Sequence, residues 1–301
     1  MSKQGQDVIY QSVTDRIVQA LEEGTVPWRQ TWAGGGVPLR MSNGKAYRGV
    51  NVFLLALSGY GSPWWGTYEQ IKKLGGQVRK GEKSTTVVFW TKKKITERDP
   101  DTGEEQEKNI FLLRFYRVFN AEQADDLPEK FFPVHHAQDE FDVHLAAQDV
   151  LDGYLSRESG LSLEHRGNQP QYRPDADSIL LPRPKAFESP ADYYDTAFHE
   201  AGHSTGHSSR LNRDEITSGY THFGSNKYGR EELVAEMTAA MINASVGIDS
   251  AKINTNNAAY VAGWLSKIKG DSHLVIQAAG RAQRAADRIL GTTFSTDEKS
   301  E

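Results

Sequence analysis

The run His199-Glu200-Ala201-Gly202-His203 constrains this chain more than any other feature of its sequence. Histidines four residues apart face the same way only on a helix, where both imidazoles reach one metal ion. A helix start lies just upstream in Ser189-Pro190-Ala191-Asp192, with Ser189 as N-cap, Pro190 at the first helical position and Asp192 in the capping-box position. The spacing predicts one helix from there through His203. Glu200 follows the first histidine directly, so it is badly placed to bind the same ion. It is well placed to take a proton from a water held at the ion's open position. The competing reading is a solvent-facing helix that carries these residues by chance.

A hydrolytic zinc site of this kind takes three protein ligands. Glu231-Glu232-Leu233-Val234-Ala235-Glu236, on a helix predicted over residues 231–245, offers the third. Carboxylates one turn apart share a helix face. Glu232 is therefore assigned as the ligand and Glu236 as the acceptor for the free N–H of a ligand histidine. Glu231 or Glu236 as ligand are the alternatives, and a plain acidic helix face is the reading without chemistry. The set His199, His203 and Glu232 favours Zn2+, with Mn2+ or another divalent ion as the alternative. His207 lies one turn beyond His203, but a helix exit at Gly206 turns it away, and Ser209 stands where a further histidine ligand would be needed. Tyr220, His222 and Tyr228 are candidate electrophiles for a developing oxyanion, with ordinary packing as the competing reading. Residues 178–181 (Ser-Ile-Leu-Leu) read either as an edge strand able to pair with an extended peptide or as a core strand.

The remaining features bound the class of protein. A length of 301 residues suggests two domains. The chain has no cysteine, which excludes disulfides, thiolate ligands and thiol nucleophiles. Mean hydropathy is -0.61, no stretch matches a membrane span and the N-terminus lacks an apolar leader, so a cytoplasmic protein without a membrane partner is expected. Charge is unevenly placed. Residues 1–96 carry 14 Lys/Arg against 6 Asp/Glu, whereas the other 205 carry 21 against 34, so different partners are expected for the two ends.

The fold class read from these patterns is α+β in two domains. Residues 1–125 form the first, with helices over 8–23, 52–58 and 68–74 and a hairpin from two β-rich runs, 85–90 and 110–118, whose polar tip is 98–108. A linker follows at 126–140. Residues 141–290 form the second domain and 291–301 a polar tail. In the first domain aromatic and basic residues interleave: Trp28, Arg29, Trp32, Lys45, Tyr47 and Arg48, then Trp64, Trp65, Tyr68, Lys80 and Lys83. Exposed rings that stack bases, beside cations that meet phosphates, are what a single-strand binder uses. The competing reading puts the tryptophans in the core and the lysines on a solvated face.

Segments from both halves together resemble the ArdC antirestriction family of conjugative plasmids, over about residues 8–290. In the first half these are Trp28-Arg29, Asn43-Gly44-Lys45-Ala46-Tyr47-Arg48-Gly49-Val50-Asn51, Trp64-Trp65-Gly66-Thr67-Tyr68 and Gly75-Gly76-Gln77-Val78-Arg79-Lys80-Gly81-Glu82-Lys83. They are similar to that family's single-stranded-DNA-binding domain. In the second half His199 to His207, Ser209-Arg210-Leu211-Asn212-Arg213 and Tyr228 to Glu236 are similar to its zincin-like metallopeptidase domain. The resemblance implies a protein that helps plasmid DNA, entering as a single strand, to evade host restriction. Its expected partners are single-stranded DNA, with weaker duplex binding, and an unidentified protein substrate such as a restriction-system component. The alternative is a strand-shielding protein whose metal site is structural or vestigial, without turnover.

Overall fold

The computed structural model describes residues 3–29, 36–98, 105–132, 140–218, 226–249 and 258–292. The chain opens with α1 (Lys3–Glu22), which buries Ile9, Val13, Ile17 and Leu21 along one face. Gly24 ends it at φ 80°, a left-handed conformation open to glycine, and the N–H of Thr25 closes on the carbonyl of Ala20 at 2.8 Å. A 3-10 turn at Pro27–Arg29 then drops Trp28 into the core. The first half continues through β1 (Leu39–Arg40), α2 (Val50–Ala56), β2 (Trp64–Gly66), α3 (Tyr68–Lys73) and β3 (Gln77–Val78). Its long strands β4 (Thr85–Arg98) and β5 (Glu105–Asn120) are followed by β6 (Ala124–Asp125). One sheet runs in the order β1-β2-β5-β4 and a smaller one pairs β3 with β6. The hairpin ladder extends from Thr85 opposite Val118 to Arg98 opposite Glu105, so Arg98 and residues 105–108 of the segment read from sequence as a polar tip are paired strand, while 99–104 lie outside the described residues. β4 is an edge strand. Asn51 covers part of that edge by giving its Nδ2 to the carbonyl of Val88 and accepting the N–H of Val88, both at 2.7 Å.

The second half begins with α4 (Glu140–Arg157). A three-stranded sheet follows, from β7 (Ser162–His165), β8 (Gln171–Arg173) and β9 (Ser178–Leu181), in the order β7-β9-β8. β9 is thus the central strand and all four of its residues are buried. This corrects the edge-strand reading of residues 178–181: both of its ladder sides are taken by its neighbours, leaving no backbone row for a peptide. The helices α5 (Pro190–Ser204), α6 (Asp214–Thr217), α7 (Asn226–Val246), α8 (Ala258–Gly270) and α9 (Leu274–Leu290) complete the described chain. α9 turns a row of buried alanines, among them Ala278, Ala279, Ala282 and Ala286, to its neighbours, and such small side chains let helices approach closely. Among the described residues no helix is long and apolar enough to cross a membrane.

The two halves share one hydrophobic core. Ile9, Val13 and Trp28 of the first half belong to the same buried cluster as Trp264, Ile268, Val275 and Ala279 of the second. Trp28 meets Phe53 edge-on at 6.4 Å and Trp264 at 5.2 Å between ring centroids. Packing therefore runs across the segment expected to act as a linker, of which residues 133–139 lie outside the described chain.

Candidate metal centre

α5 starts where the sequence places it. Ser189 accepts the N–H of Asp192 at 3.2 Å, and Pro190 occupies the first helical position. This sets the phase of the helix, and His199 and His203 emerge together on the side facing α7. The two helices pack closely at Gly202: a Cβ there would sit 3.2 Å from Ala235 Cα and 3.3 Å from Thr238 Cβ. Only glycine allows this approach without displacement, and the approach brings Glu232 up to the histidines.

Three donor atoms converge. His199 Nε2 and His203 Nε2 lie 3.1 Å apart, and the carboxylate of Glu232 lies 3.4 Å from each. A tetrahedral ion with bonds of about 2.0–2.2 Å holds its ligand atoms about 3.3–3.6 Å apart. The spacing therefore fits one small divalent ion with a fourth position open. The pocket is strongly anionic. Burial opposes charge on His203, yet Glu232 and Glu231 outweigh it and raise the imidazole well above its usual value. Burial likewise pushes Glu232 up, but the two histidines win and hold it below the usual carboxylate range. A cation bound here would replace those protons.

Each ligand histidine has a carboxylate behind it. His203 Nδ1 lies 3.2 Å from Glu231 Oε1, and His199 Nδ1 lies 3.8 Å from Glu236 Oε1. With Nε2 turned to the ion, the Nδ1 proton points at these acids. Glu231 is in turn gripped by Arg213 at 2.9 Å through Nε and 2.5 Å through Nη2. The same guanidinium donates to the carbonyl of Gly202 at 2.8 Å and to Thr205 Oγ1 at 2.7 Å, so it caps the end of α5 and orients its acid partner at once. Gly206 makes room for it, since a Cβ there would meet Arg213 Nη2 at 2.9 Å and Ile216 Cγ1 at 2.6 Å. Glu236 has its own cation, Arg29 of the first half, at 3.2 Å. One turn before His199, Asp195 is pushed up to about 6 by burial and the charge of Glu236, against the opposing pull of Arg29, Asn243 and His199. Asn243 donates to it at 2.6 Å.

Glu200 is buried and lies outside the ligand set. Arg210, one turn past the helix, clamps Asp177 in a two-pronged pair and donates to the Ser204 carbonyl at 2.7 Å. Asp177 sits at φ 44°, which aspartate tolerates, and also accepts the hydroxyl of Tyr172 at 2.8 Å. The clamp ties the end of α5 to the sheet. His207 points its Nδ1 at Ser209, 2.8 Å away, and at Asp177, 3.9 Å away, and takes no part in the ligand cluster. Tyr220, His222, Trp32 and the side chain of Tyr228 lie outside the described residues.

Sequence reasoning thus brought together His199, His203, Glu232 and Glu236, and missed Glu231 in its partnering role, Arg213, Arg29 and Asp195. The signal for Arg213 was present as the second arginine of Ser209-Arg210-Leu211-Asn212-Arg213, just past a helix end rich in unpaired carbonyls.

The expected DNA-contacting set fares differently. Trp28, Tyr47 and Trp65 are buried, which corrects their assignment as stacking platforms: each ring is already packed by the core. Tyr47 lies under the Arg40 guanidinium, 5.4 Å from the ring centre, and its hydroxyl is pushed up to about 12, chiefly by burial. Trp65 packs edge-on to Tyr60 and half-buried Trp64 edge-on to Phe131. Arg29 and Arg48 are engaged with Glu236 and Asp287 of the second half. Lys45, Tyr68, Lys80 and Lys83 are exposed.

An HExxH helix joined by a carboxylate from a later helix defines a zincin-like metallopeptidase domain, and residues 152–281 match the family described as zincin-like metallopeptidase. Residues 7–119 match the N-terminal domain of anti-restriction factor ArdC. The chain belongs to the ArdC antirestriction family. It is similar to the crystal structure of antirestriction ArdC protein from plasmid R388 in metal-free form, with 40% identity over 95% of this chain and 99% of that one and a TM-score of 0.72. The Mn(II)-bound structure of the R388 protein matches with 38% identity, 94% and 97% coverage and a TM-score of 0.73. Uncharacterized protein y4eC of Sinorhizobium fredii is 34% identical over 93% of this chain and 90% of its own length. DNA primase TraC of Escherichia coli is also 34% identical over 93% of this chain, which spans only 27% of that protein.

Proposed function

We propose that the chain is an antirestriction protein that binds single-stranded DNA through its first half and hydrolyses a peptide bond at the metal centre of its second. The observation that carries the enzymatic part is the mutual spacing of His199, His203 and Glu232, 3.1 to 3.4 Å between donor atoms. Those three residues would hold Zn2+ or Mn2+, which when bound polarises a peptide carbonyl and acidifies a water. Glu231 holds the His203 tautomer that exposes Nε2, and Glu236 stands behind His199 at 3.8 Å. Glu200, buried on the helix that carries both histidines, takes the water's proton and hands it to the leaving amine. The Mn(II)-bound R388 relative supports a divalent ion at this site. The names of the relatives, an antirestriction protein from plasmid R388 and a DNA primase, support a role at DNA. A restriction-system component is the proposed protein substrate.

The test is transfer of a plasmid into a restricting recipient that carries the wild-type chain or Glu200→Ala. Loss of protection by the variant, with metal binding retained, supports hydrolysis. Full protection by Glu200→Ala would instead establish strand shielding without turnover.

A further inference from the structure

We propose that one face of the β4–β5 hairpin is the platform on which bases of single-stranded DNA stack, formed by Trp90, Phe111 and Phe115 with Lys92 and Arg117 beside them. The proposal rests on the reading of the first half as a single-strand binder and gives that reading a location. In the antiparallel register Val88 faces Phe115, Trp90 faces Leu113 and Lys92 faces Phe111. Side chains alternate across a sheet, so Trp90, Lys92, Phe111, Phe115 and Arg117 all project from the same face. The observed ion pair between Lys94 and Glu107, 3.0 Å apart, agrees with this assignment, since both belong to that face.

The rings are open. Trp90 is 49% exposed, Phe111 60% and Phe115 46%, while Leu113 and Val88 of the same face are buried in the core cluster that includes Ile9, Tyr10 and Val13 of α1, so the open rings border the part of the face that α1 covers. Tyr10 of α1 lies 6.3 Å from the Trp90 ring and supports it from one side. Three large rings in water are an unusual surface, and their chemistry selects among occupants. They are flat rather than branched, and cations flank them. Among the described residues neither Lys92 nor Arg117 has a carboxylate partner. Towards the tip, Lys94 of the same face is already paired with Glu107, which leaves Lys92 and Arg117 as the cations beside the rings.

Spacing also favours a single strand. Phe115, Trp90 and Phe111 occupy successive levels of one face, about 6.8 Å apart at about 3.4 Å per residue. A stacked strand advances only about 3.4 Å per nucleotide. Bases seated on these rings are therefore separated from each other, which a single strand allows and a paired duplex does not.

The experiment is anisotropy of a labelled oligo-dT with the full chain across a salt series. Trp90→Ala and Phe111→Ala should each weaken binding about 5- to 150-fold, the effect of one lost base stack, with the salt slope unchanged. Lys92→Gln or Arg117→Gln should reduce the slope by about 0.7 each. The ring-keeping variants Trp90→Phe and Phe111→Tyr should bind nearly as the wild type, which separates stacking from folding. Undiminished binding by the two alanine variants, with Tyr68→Ala losing it instead, overturns the proposal and moves the platform to α3 while the DNA reading survives. Loss of a self-association present in the wild type, with DNA binding intact, makes the face a contact between copies and also overturns it. No binding of oligo-dT by the wild type ends the DNA reading itself.

Discussion

The metal centre and the aromatic, basic first half were read from the same sequence by the same kind of pattern, and they came out differently. At the metal centre His203 is held by a chain of short contacts: His203 by Glu231, Glu231 by Arg213, Arg213 by the carbonyls that end α5. In the first half, three of the rings expected to meet DNA are core, and two of the cations are spent on Glu236 and Asp287. A helix carries its own ruler, so spacing alone says which residues point together. Exposure has no such ruler, because it is decided by whatever packs on top.

The largest effect that would break this contrast is loss of a ligand. His203→Ala or Glu232→Ala should abolish stoichiometric binding of Zn2+ or Mn2+ in calorimetric titration. Retained stoichiometric binding would mean that the donor set is wrong. Next comes Arg213→Ala, which strands Glu231 in a site where both side chains are about 95% buried. Breaking a buried pair costs about 3–5 kcal/mol, measurable by chemical denaturation, and metal affinity should fall about 10- to 100-fold as His203 loses its oriented partner. A stability change below about 1 kcal/mol would show that Arg213 does not hold the site together.

The pH dependence of the metal-free chain gives a smaller effect. Asp195 titrates near 6 in the fold against about 3.9 unfolded. A raised carboxyl favours the folded state while protonated, so its contribution is complete below about pH 4 and is lost as pH rises through about 6, up to about 3 kcal/mol. Asp195→Asn keeps the oxygen that accepts from Asn243 and should remove this slope. An identical slope in the variant would assign the titration to another group.

What was legible follows from physical range. The capped start at Ser189, the His199–His203 spacing and the downstream glutamates are local features, and the structure assembles them. The division of labour between Glu231 and Glu232 depends on how α7 is rotated against α5 at Gly202, which no local pattern states. The rings of β5 are the opposite case. Phe111, Leu113 and Phe115 share one face, with Leu112 and Tyr116 on the other, and the apolar run by itself does not say which of them is covered. Leu113 is buried while Phe115 and Phe111 on either side of it are exposed, a division set by which part of that face α1 covers. Trp28 was opaque for the converse reason: its partner Trp264 lies 236 residues away in sequence.

Arg29 sharpens the comparison most finely, because it was read as a DNA contact and lies instead behind the metal centre. Its Nη2 meets Glu236 Oε2 at 3.2 Å, and the other oxygen of Glu236 stands 3.8 Å from His199 Nδ1. The second contact is longer than a hydrogen bond, and the pair is about one-fifth exposed, so the expected effect is modest. Arg29→Ala should weaken metal binding about tenfold, the low end for a residue behind a ligand, in competition with a chromophoric chelator, and Arg29→Lys should recover part of it. Affinity for oligo-dT should not change. If DNA binding falls and metal binding holds, Arg29 serves the strand after all and the two halves meet only through packing. If metal binding falls alone, the first half supplies a residue to the centre in the second. Whatever seats itself on the first half then has a physical route, through one guanidinium and one carboxylate, to the histidine that holds the ion.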